Sequence, residues 1–324
     1  MADGNMLLIK EDSETDPKVG SYPDKRPIEV LLKNGLIILD KPHGPTSHQV
    51  ASWAKDIFSA KKCGHSGTLD PNVTGVLPLA LDNATKAMQF MIGSQKEYIC
   101  LMKLHTEVDE KQIRESANKF TGKIMQKVPL KSHVKKQIRE REIYELEILE
   151  IDKSGRSVLF RAKTQAGTYI RKLCDDWGKL LGTKAHMQEL RRTEAAGFSE
   201  KNAYILQDVK DAFVFWKENG DETELRKIIL PVEVAVDKFP KIVTKDSAVG
   251  TVCNGGKLFT KGISKLTSDV EKNKFVAIMT LKGELVAIGK SRMSAADIIK
   301  DKEGAVAMPD RVIMDQQLYP KMPK

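Results

Sequence analysis

In the first two thirds of the chain, some segments space their apolar residues as in a strand and others as in a helix. This pattern predicts a mixed α/β fold. Strands are predicted where apolar residues form a short run or alternate with polar ones, at Gly35–Asp40, Lys96–Leu104, Glu142–Ile151 and Ser157–Lys163. A helix is predicted over Tyr169–Leu181 and ends before a glycine. Its apolar face includes Ile170, Leu173, Trp177 and Leu180.

A second helix is predicted after the Pro- and Gly-rich turn that follows the first strand. Either Thr46 or Ser47 can cap its N-terminus, because both side chains can accept a hydrogen bond from a free backbone N–H group. The apolar residues at helical spacing are Val50, Trp53, Ala54, Ile57 and Phe58.

The pattern changes near Asp237, where short strands such as Phe275–Leu281 and Leu285–Lys290 follow one another. We therefore predict a mixed α/β domain over 34–236 and a small β-rich module over 237–324. Residues 1–33 show little periodicity, and we expect an irregular N-terminal arm that packs with the β-rich module.

Composition narrows the class of protein. The chain has 324 residues, with 53 Lys and Arg against 44 Asp and Glu, and a net charge of +9. This excess favours an acidic partner such as a nucleic acid. The sequence has no apolar run of membrane-spanning length, and its N-terminus lacks the features of a signal peptide, so we expect a cytoplasmic protein. Four widely spaced cysteines without a CxxC pair argue against zinc, and we expect them to be buried thiols.

The segment Gly64–Pro78 is the candidate active loop. Asp70 precedes a proline, and three glycines, Gly64, Gly67 and Gly75, permit close backbone approach by a ligand. By composition alone the segment also fits an ordinary structural turn, because Asp-Pro and glycine are common in turns.

Five motifs decide between these two interpretations, because together they resemble the TruB-type pseudouridine synthases. GHSGTLDP at Gly64–Pro71, with TGVLPLAL after it, is similar to the family's signature, and LDKPHGPTSHQV precedes it. KEY at Lys96–Tyr98 is similar to the tyrosine motif and AGTYIRKL at Ala166–Leu173 to the arginine motif. AHMQELRRT at Ala185–Thr193 matches the motif that follows. Five motifs in family order are far more specific than one short pattern.

The resemblance extends to one branch of this family. Arg26–Pro42 and Ile242–Ile313 are similar to the dyskerin-type enzymes, in which a PUA domain follows the catalytic domain. The chain lacks the long lysine-rich tails of eukaryotic members and is most similar to the archaeal ones, the pseudouridine synthases of H/ACA ribonucleoproteins. The implied fold class is α+β, with a central mainly antiparallel sheet flanked by helices and a small β-barrel PUA domain.

The resemblance implies an RNA pseudouridine synthase that needs neither cofactor nor metal. It would modify rRNA with an H/ACA guide RNA and three small proteins of the Nop-, Gar- and kink-turn-binding types, and also the T-loop uridine of tRNA (position 55). Two alternatives stay open: a guide-independent tRNA enzyme and a non-catalytic RNA-binding scaffold. The presence of all three catalytic residue types argues against the scaffold.

By the same resemblance, three residues carry the chemistry. Asp70 is the nucleophile, Arg171 is the cation that keeps it ionised, and Tyr98 stacks on the flipped base and takes part in proton transfer. Without the motifs, Arg171 would be interpreted as a solvated helix residue and Tyr98 as a core residue.

Further residues are assigned supporting parts by the resemblance. His65 would fill the place of the flipped base, and Tyr169 and Leu190 would line the pocket, although a surface histidine and two core residues are the plain alternatives. Lys41 and Gly67 would support the active loop structurally.

The basic run 119–141 holds eight Lys and Arg residues and one acid. This charge fits contact with an RNA backbone, and the alternative is a solvated basic face. The resemblance places a loop that closes over substrate RNA in its middle, with Lys131, Lys135 and Lys136 as substrate-binding residues.

Overall fold

The computed structural model describes residues 6–127, 137–300 and 303–319 of the chain. Lys131, Lys135 and Lys136 lie outside these described residues. The helices in the described part are α1 (Ile28–Asn34), α2 (Ser47–Ile57), α3 (Met88–Ile92), α4 (Glu110–Ala117), α5 (Ile170–Leu180), α6 (Leu206–Asn219), α7 (Thr223–Ile228), α8 (Asp246–Cys253) and α9 (Ala295–Lys300).

The strands belong to two sheets, and those before residue 232 are β1 (Leu7–Ile9), β2 (Gly35–Lys41), β3 (Cys63–His65), β4 (Thr74–Leu81), β5 (Lys96–Leu104), β6 (Gly122–Lys127), β7 (Ile138–Ile151), β8 (Ser157–Thr164), β9 (Ala185–Ala195), β10 (Phe198–Ser199) and β11 (Ile229–Pro231). The later strands are β12 (Lys241–Thr244), β13 (Leu258–Phe259), β14 (Ile263–Thr267), β15 (Phe275–Met279), β16 (Leu285–Ser291) and β17 (Ala305–Val312).

The larger sheet has the strand order β11-β2-β4-β9-β5-β8-β7-β6, with β3 paired to β4 and β10 paired to β9. Among the described strands its pairs are antiparallel except β4 with β9, which run parallel over two residue pairs. This parallel junction joins the two halves of the sheet, and each half has its own core. One cluster packs α2, α6 and α7 on β2 and β4, and a second packs α4 and α5 on β5 and β8.

The second sheet has the order β1-β14-β12-β15-β16-β17-β13 and surrounds a separate core that includes residues of α8 and α9. The α+β class with two modules is therefore confirmed. The N-terminal arm is more regular than its sequence indicates, because Leu7–Ile9 pairs with β14 of this sheet. A three-residue strand is too short to show a period of two, so the prediction of an irregular arm was wrong at this point.

Two helix faces differ from the sequence pattern. Trp53 in α2 is 46% exposed and Leu180 in α5 is 45% exposed, although both share helical spacing with buried residues. Helical spacing specifies a face, but the packed neighbours decide how far round the helix burial extends. Cys100, Cys174 and Cys253 are buried free thiols as predicted, whereas Cys63 is half-buried. The described residues contain no helix long and apolar enough to cross a membrane.

The two sheets share a buried junction. One hydrophobic cluster contains Leu36 and Val236 from the first domain together with Met279 and Ile288 from the β-rich module. Burial of apolar area on both sides favours a fixed contact between the modules.

A buried arginine from the N-terminal arm connects the polar part of the same junction. Arg26 donates two hydrogen bonds to the Glu233 carboxylate at 2.8 and 2.9 Å, and Glu284 lies 3.8 Å away. Glu233 also accepts from the backbone N–H of Leu285, and Glu284 accepts from Tyr319 Oη at 2.6 Å. Four chain segments thus share one buried network, in which a single cation lies between two carboxylates.

We predict that Arg26→Met destabilises the protein by about 3–5 kcal/mol, because it leaves two carboxylates buried without their cation. Urea denaturation at pH 7.5 measures the change. Arg114→Met is the matched control, since Arg114 pairs with Glu110 on an exposed helix face and its loss should cost at most about 1 kcal/mol. Equal losses in the two variants would contradict the role of the junction.

Candidate functional site

The active loop connects β3 to β4 and presents Asp70 at the surface. The Asp70 carboxylate is 54% exposed and accepts a hydrogen bond from Arg171 Nη2 at 2.9 Å. Arg171 is the second residue of α5 and is 46% exposed. An ion pair this exposed adds little to stability, since water screens it. Its value lies in geometry, because it holds the carboxylate in one orientation where a ligand can reach it.

A buried lysine supports the loop just after Asp70. Lys41 is completely buried at the end of β2, and its Nζ donates to the carbonyls of Pro42, Pro71 and Val73 at 2.7, 3.1 and 2.9 Å. Burial, and secondly the charge of Arg192, lower the pKa of Lys41. The three carbonyls use all three ammonium donors, so the side chain fastens two turns together.

A buried hydroxyl supports the loop just before Asp70. Ser47 Oγ accepts from the backbone N–H of Leu69 at 2.8 Å and lies 3.3 Å from the Leu69 carbonyl. The cap of α2 is Thr46, which forms a reciprocal capping box with Gln49. Of the two candidate caps, Thr46 therefore closes the helix, and Ser47 fixes the residue next to Asp70.

Tyr98 lies beneath the loop, on β5, and is only 8% exposed. Burial raises the pKa of its phenol, while the adjacent Arg192 guanidinium lowers it and the Asp70 charge raises it again. Arg192 is the cross-strand partner of Tyr98 on β9 and is 1% exposed.

The glycines of the loop serve the chain's own packing. Gly75 has a φ of +104°, and a Cβ at this position would lie 2.1 Å from the backbone oxygen of Arg192. Gly67 has a φ of +148°, and its carbonyl accepts from Arg192 Nη2 at 3.2 Å. The close approach that Gly75 permits is thus to strand β9, where the parallel junction forms, rather than to a ligand.

His65 closes the other end of the loop at the end of β3. Its Nε2 lies 3.1 Å from Nδ1 of His48, and the two rings are 4.9 Å apart between centroids. Burial, followed by the charges of His48 and Arg192, lowers the pKa of His65. The ring is half-buried and joins the loop to α2, so it is neither a fully exposed nor an isolated histidine.

Tyr169 and Leu190 border the same region from two elements. The backbone N–H and carbonyl of Tyr169 bind the side-chain amide of Gln126 at 3.0 and 3.2 Å, which fixes the start of α5 just ahead of Arg171. Leu190 is half-buried on β9 opposite Cys100 and packs against the core cluster that contains Tyr98.

The basic run forms the arms of a hairpin around the undescribed residues 128–136. β6 and β7 pair from Gly122 with Ile143 to Lys127 with Ile138. Arg141 Nε donates to the Gly167 carbonyl at 3.1 Å, next to the arginine motif. Both strands are thus attached to the segment at the start of α5, β6 through Gln126 and β7 through Arg141.

Sequence reasoning did not assign roles to Arg192 or Gln126, and it considered Ser47 only as a possible helix cap. The motif AHMQELRRT contains Arg192, but two adjacent arginines have the same sequence signal, and only the strand register shows which one faces Tyr98. Gln126 and Ser47 carried no signal, because their partners are distant in sequence. In the residues described here, no three His, Cys, Asp or Glu side chains are grouped as a metal ion would require.

Family models match the chain along nearly its whole length. A DKCLD (NUC011) domain matches residues 1–51, and a TruB family pseudouridylate synthase N-terminal domain matches 55–170. A tRNA pseudouridylate synthase B C-terminal domain matches 171–237, and a PUA domain matches 240–313.

Individual relatives agree with these models. The chain is 52% identical to a probable tRNA pseudouridine synthase B of Archaeoglobus fulgidus over 98% of this chain and 97% of that protein. It is 50% identical to a protein of the same name in Methanocaldococcus jannaschii over 99% and 95%.

Solved structures agree as well. The structure of an archaeal box H/ACA Nop10–Cbf5 complex matches with a TM-score of 0.90 and 47% identity, over 99% of this chain and 100% of that chain. The structure of an H/ACA ribonucleoprotein bound to a substrate RNA containing 2′-deoxyuridine matches with 0.91 and 44%, over 99% and 98%.

The TruB-type catalytic domain and the relatives define the class of protein, an enzyme that isomerises uridine in RNA to pseudouridine. The chain belongs to the TruB family of pseudouridine synthases, in the branch that combines the DKCLD and PUA domains.

The buried Lys96 gives a pH-dependent prediction. Lys96 Nζ donates to the carbonyls of Ile92 and Ser94, and burial, followed by the Arg192 charge, lowers its pKa from 10.5 to about 8. Between pH 8 and 10.5 the unfolded chain therefore holds more protons than the native one, so the free energy of unfolding rises with pH through this group.

In Lys96→Met this contribution is absent. We expect the free energy of unfolding of the wild type, minus that of Lys96→Met, to increase steadily from pH 8 to pH 10.5. Urea denaturation of both proteins at four pH values measures this difference, in which other titrating groups cancel. A difference independent of pH would show that Lys96 is not desolvated.

Proposed function

We propose that the chain is the catalytic subunit of a guide-directed ribonucleoprotein that converts uridine to pseudouridine in rRNA. Solved proteins with 44–47% identity over at least 98% of their own length are described as components of H/ACA complexes, one with a substrate RNA and others with Nop10 and Gar1. An H/ACA guide RNA and three small proteins, of the Nop-, Gar- and kink-turn-binding types, are the partners we infer.

The observation that carries this proposal is the ion pair between Asp70 and Arg171. Asp70 lies on a loop whose backbone is hydrogen-bonded to buried side chains. Asp70 is reachable, oriented by Arg171, and held by Lys41 and Ser47 on either side of it. These are the requirements for a nucleophilic carboxylate, which must meet its target in one geometry. The isomerisation breaks the C1′–N1 bond and forms a C1′–C5 bond. C5 loses one proton and N1 gains one, so no oxidant, reductant or cofactor is consumed.

The target base would reach this site by flipping out of the RNA. We assign Tyr98 and Leu190 to the wall of the base pocket, because both belong to the apolar cluster next to the loop. Tyr169 is the N-cap residue of α5, two residues before Arg171, the partner of Asp70. His65 lies at the end of β3, where the active loop begins, and we assign it to the gap that the flipped base leaves.

Two basic surfaces would hold the RNA. Lys131, Lys135 and Lys136 lie in the sequence between β6 and β7, which contact the start of α5 through Gln126 and Arg141, and we assign these lysines to contact with the substrate backbone. We propose the boundaries 1–33, 34–236 and 237–324 for arm, catalytic domain and PUA module. The PUA module holds 16 basic and 10 acidic side chains and would bind the guide RNA.

A second substrate is supported by the names of the relatives, which are tRNA pseudouridine synthases. We infer that tRNA, modified at the T-loop uridine without a guide, is also a substrate. Incubation of the purified protein with unmodified tRNA and with guide-paired rRNA fragments, each with and without guide RNA, separates the two activities. Modification of tRNA alone under all conditions would exclude the guide-directed function.

We place the enzyme in the cytoplasm. The relatives at 50–52% identity are archaeal proteins, and archaeal cells keep rRNA and tRNA in the cytoplasm. Fluorescence of a tagged chain in an archaeal host tests this location, and accumulation at the cell envelope would contradict it.

We predict that Asp70→Asn lowers turnover by roughly 1,000-fold or more while the protein still binds RNA, because the amide cannot act as the nucleophile. Tritium release from [5-³H]uridine in a guide-paired target measures turnover, and filter binding measures affinity. Glu110→Gln is the control, since this carboxylate also forms an exposed ion pair with an arginine. Near wild-type turnover by Asp70→Asn would exclude Asp70 as the nucleophile.

Replacement of Lys131, Lys135 and Lys136 by alanine should flatten the salt dependence of RNA binding, because fewer counterions are released. The slope of log K against log salt should fall by about 2–3, at roughly 0.7–0.9 for each lost phosphate contact. Binding titrations between 50 and 400 mM KCl measure it. The control triple replaces Lys201, Lys210 and Lys217. An unchanged slope in the first triple would support a solvated basic face.

A further inference from the structure

Two adjacent arginines on β9 differ sharply in their surroundings. Arg191 is half-buried and pairs with two carboxylates, Asp40 through two hydrogen bonds and Glu200 through one. Arg192 is almost completely buried, and in the described part of the chain no ion pair connects it to a carboxylate. A buried guanidinium without an anion is costly, which calls for a function beyond stability.

The hydrogen bonds of Arg192 orient its charge without neutralising it. Nε donates to the Val76 carbonyl at 2.8 Å, and Nη2 donates to the Gly67 carbonyl at 3.2 Å. The Gly67 carbonyl lies before Asp70 in the active loop and the Val76 carbonyl lies after it in β4, so the guanidinium is held in a defined position between these two segments. Both acceptors are neutral, and the positive charge remains available to its neighbours.

The charge of Arg192 affects the pKa of four neighbouring groups. Arg192 contributes to the lowered pKa of Lys41, His65 and Lys96, and for all three burial is the larger cause. It acts in the opposite direction at Tyr98, where it offsets part of the rise in the phenol pKa that burial causes. Tyr98 is also the cross-strand partner of Arg192.

We propose that Arg192 is a positioning residue of the reaction, whose unpaired buried charge orients Tyr98 and stabilises its anionic form. The proposal rests on the function proposed above for Tyr98. The charged groups that act on the phenol are Arg192 from β9 and Asp70 from the loop. A phenolate can accept the proton that leaves C5 after the C1′–C5 bond has formed, and a buried cation beside it favours that form. Arg192 contacts Tyr98 and the loop, and acts on the base only through them.

A purely structural role for Arg192 predicts a different outcome. If the guanidinium only fastened the loop carbonyls, its loss would impair Asp70, and the defect would be the same with or without the Tyr98 hydroxyl. If it acts through Tyr98, its loss should matter little once that hydroxyl is gone.

The kinetic test is a double-mutant cycle with single-turnover rates at saturating RNA. We expect Arg192→Met to slow tritium release roughly 100-fold, within the range of one lost acid–base group, and Arg192→Lys to slow it about tenfold. In the Tyr98→Phe background each change should cost less than about threefold. RNA affinity should stay within about threefold, because Arg192 is buried. Full additivity with Tyr98→Phe would overturn the proposal.

A spectroscopic test needs no turnover. The six tyrosines are replaced by 3-fluorotyrosine, and the ¹⁹F resonance of residue 98 is assigned by its loss in Tyr98→Phe. We expect this resonance to titrate at higher pH in Arg192→Met than in the wild type, with a smaller change in Arg192→Lys. An unchanged titration in both variants would overturn the proposal. If Arg192→Met does not fold, both tests are made with Arg192→Lys, which keeps a positive charge at this buried position.

Arg191→Lys is the matched control, because it alters the neighbouring arginine and should leave the Tyr98 titration unchanged. The rates are measured on whichever RNA the wild type modifies, so a failure of guide dependence does not affect them. A normal rate in Tyr98→Phe would show that the role proposed for Tyr98 is wrong, whereas a slow Tyr98→Phe with additive Arg192 variants would refute only the role of Arg192.

Discussion

The active loop depends on buried cations that bind backbone carbonyls. A loop that presents a carboxylate outward turns several carbonyls inward, and each needs a donor. Lys41 binds two of them and the carbonyl of Pro42 outside the loop, and Arg192 binds two more. Lys96 binds two carbonyls at the turn before β5. Burial works against all three charges, which is visible in their lowered pKa values. The loop is therefore held by interactions that are costly to assemble and specific in direction.

This arrangement explains how the chain can leave Asp70 half exposed and still fix its position. The surface pair with Arg171 contributes little stability, so rigidity must come from beneath. Ser47 and Lys41 fasten the residues on either side of Asp70, and Gln126 fastens the start of the helix that carries Arg171. The exposure of the Asp70 carboxylate and the rigidity of its backbone thus depend on different sets of residues.

Buried residues also fix the contact between the two modules of the chain. The cluster that joins Leu36 and Val236 to Met279 and Ile288 makes the catalytic domain and the PUA module share one core. Arg26 completes the contact by neutralising Glu233 and lying 3.8 Å from Glu284. The position of the PUA module relative to the active loop is thereby fixed by buried contacts.

Local sequence determined much of this protein. Short-range periodicity predicted α2, α5 and several strands, among them β2, β5 and β8, because side chains two or four residues apart share a face. It did not predict α6, the longest helix of the described residues. The motifs singled out Asp70, Tyr98 and Arg171 as candidates, since their residue types and order are specific. Tertiary structure alone decided the rest, because it depends on contacts between distant residues. Asp70 meets Arg171 across 101 positions, Ser47 binds Leu69 instead of capping its helix, and Trp53 stays exposed. The register of β5 and β9 selects Arg192 over Arg191 as the partner of Tyr98, a choice that two identical neighbours cannot reveal in sequence.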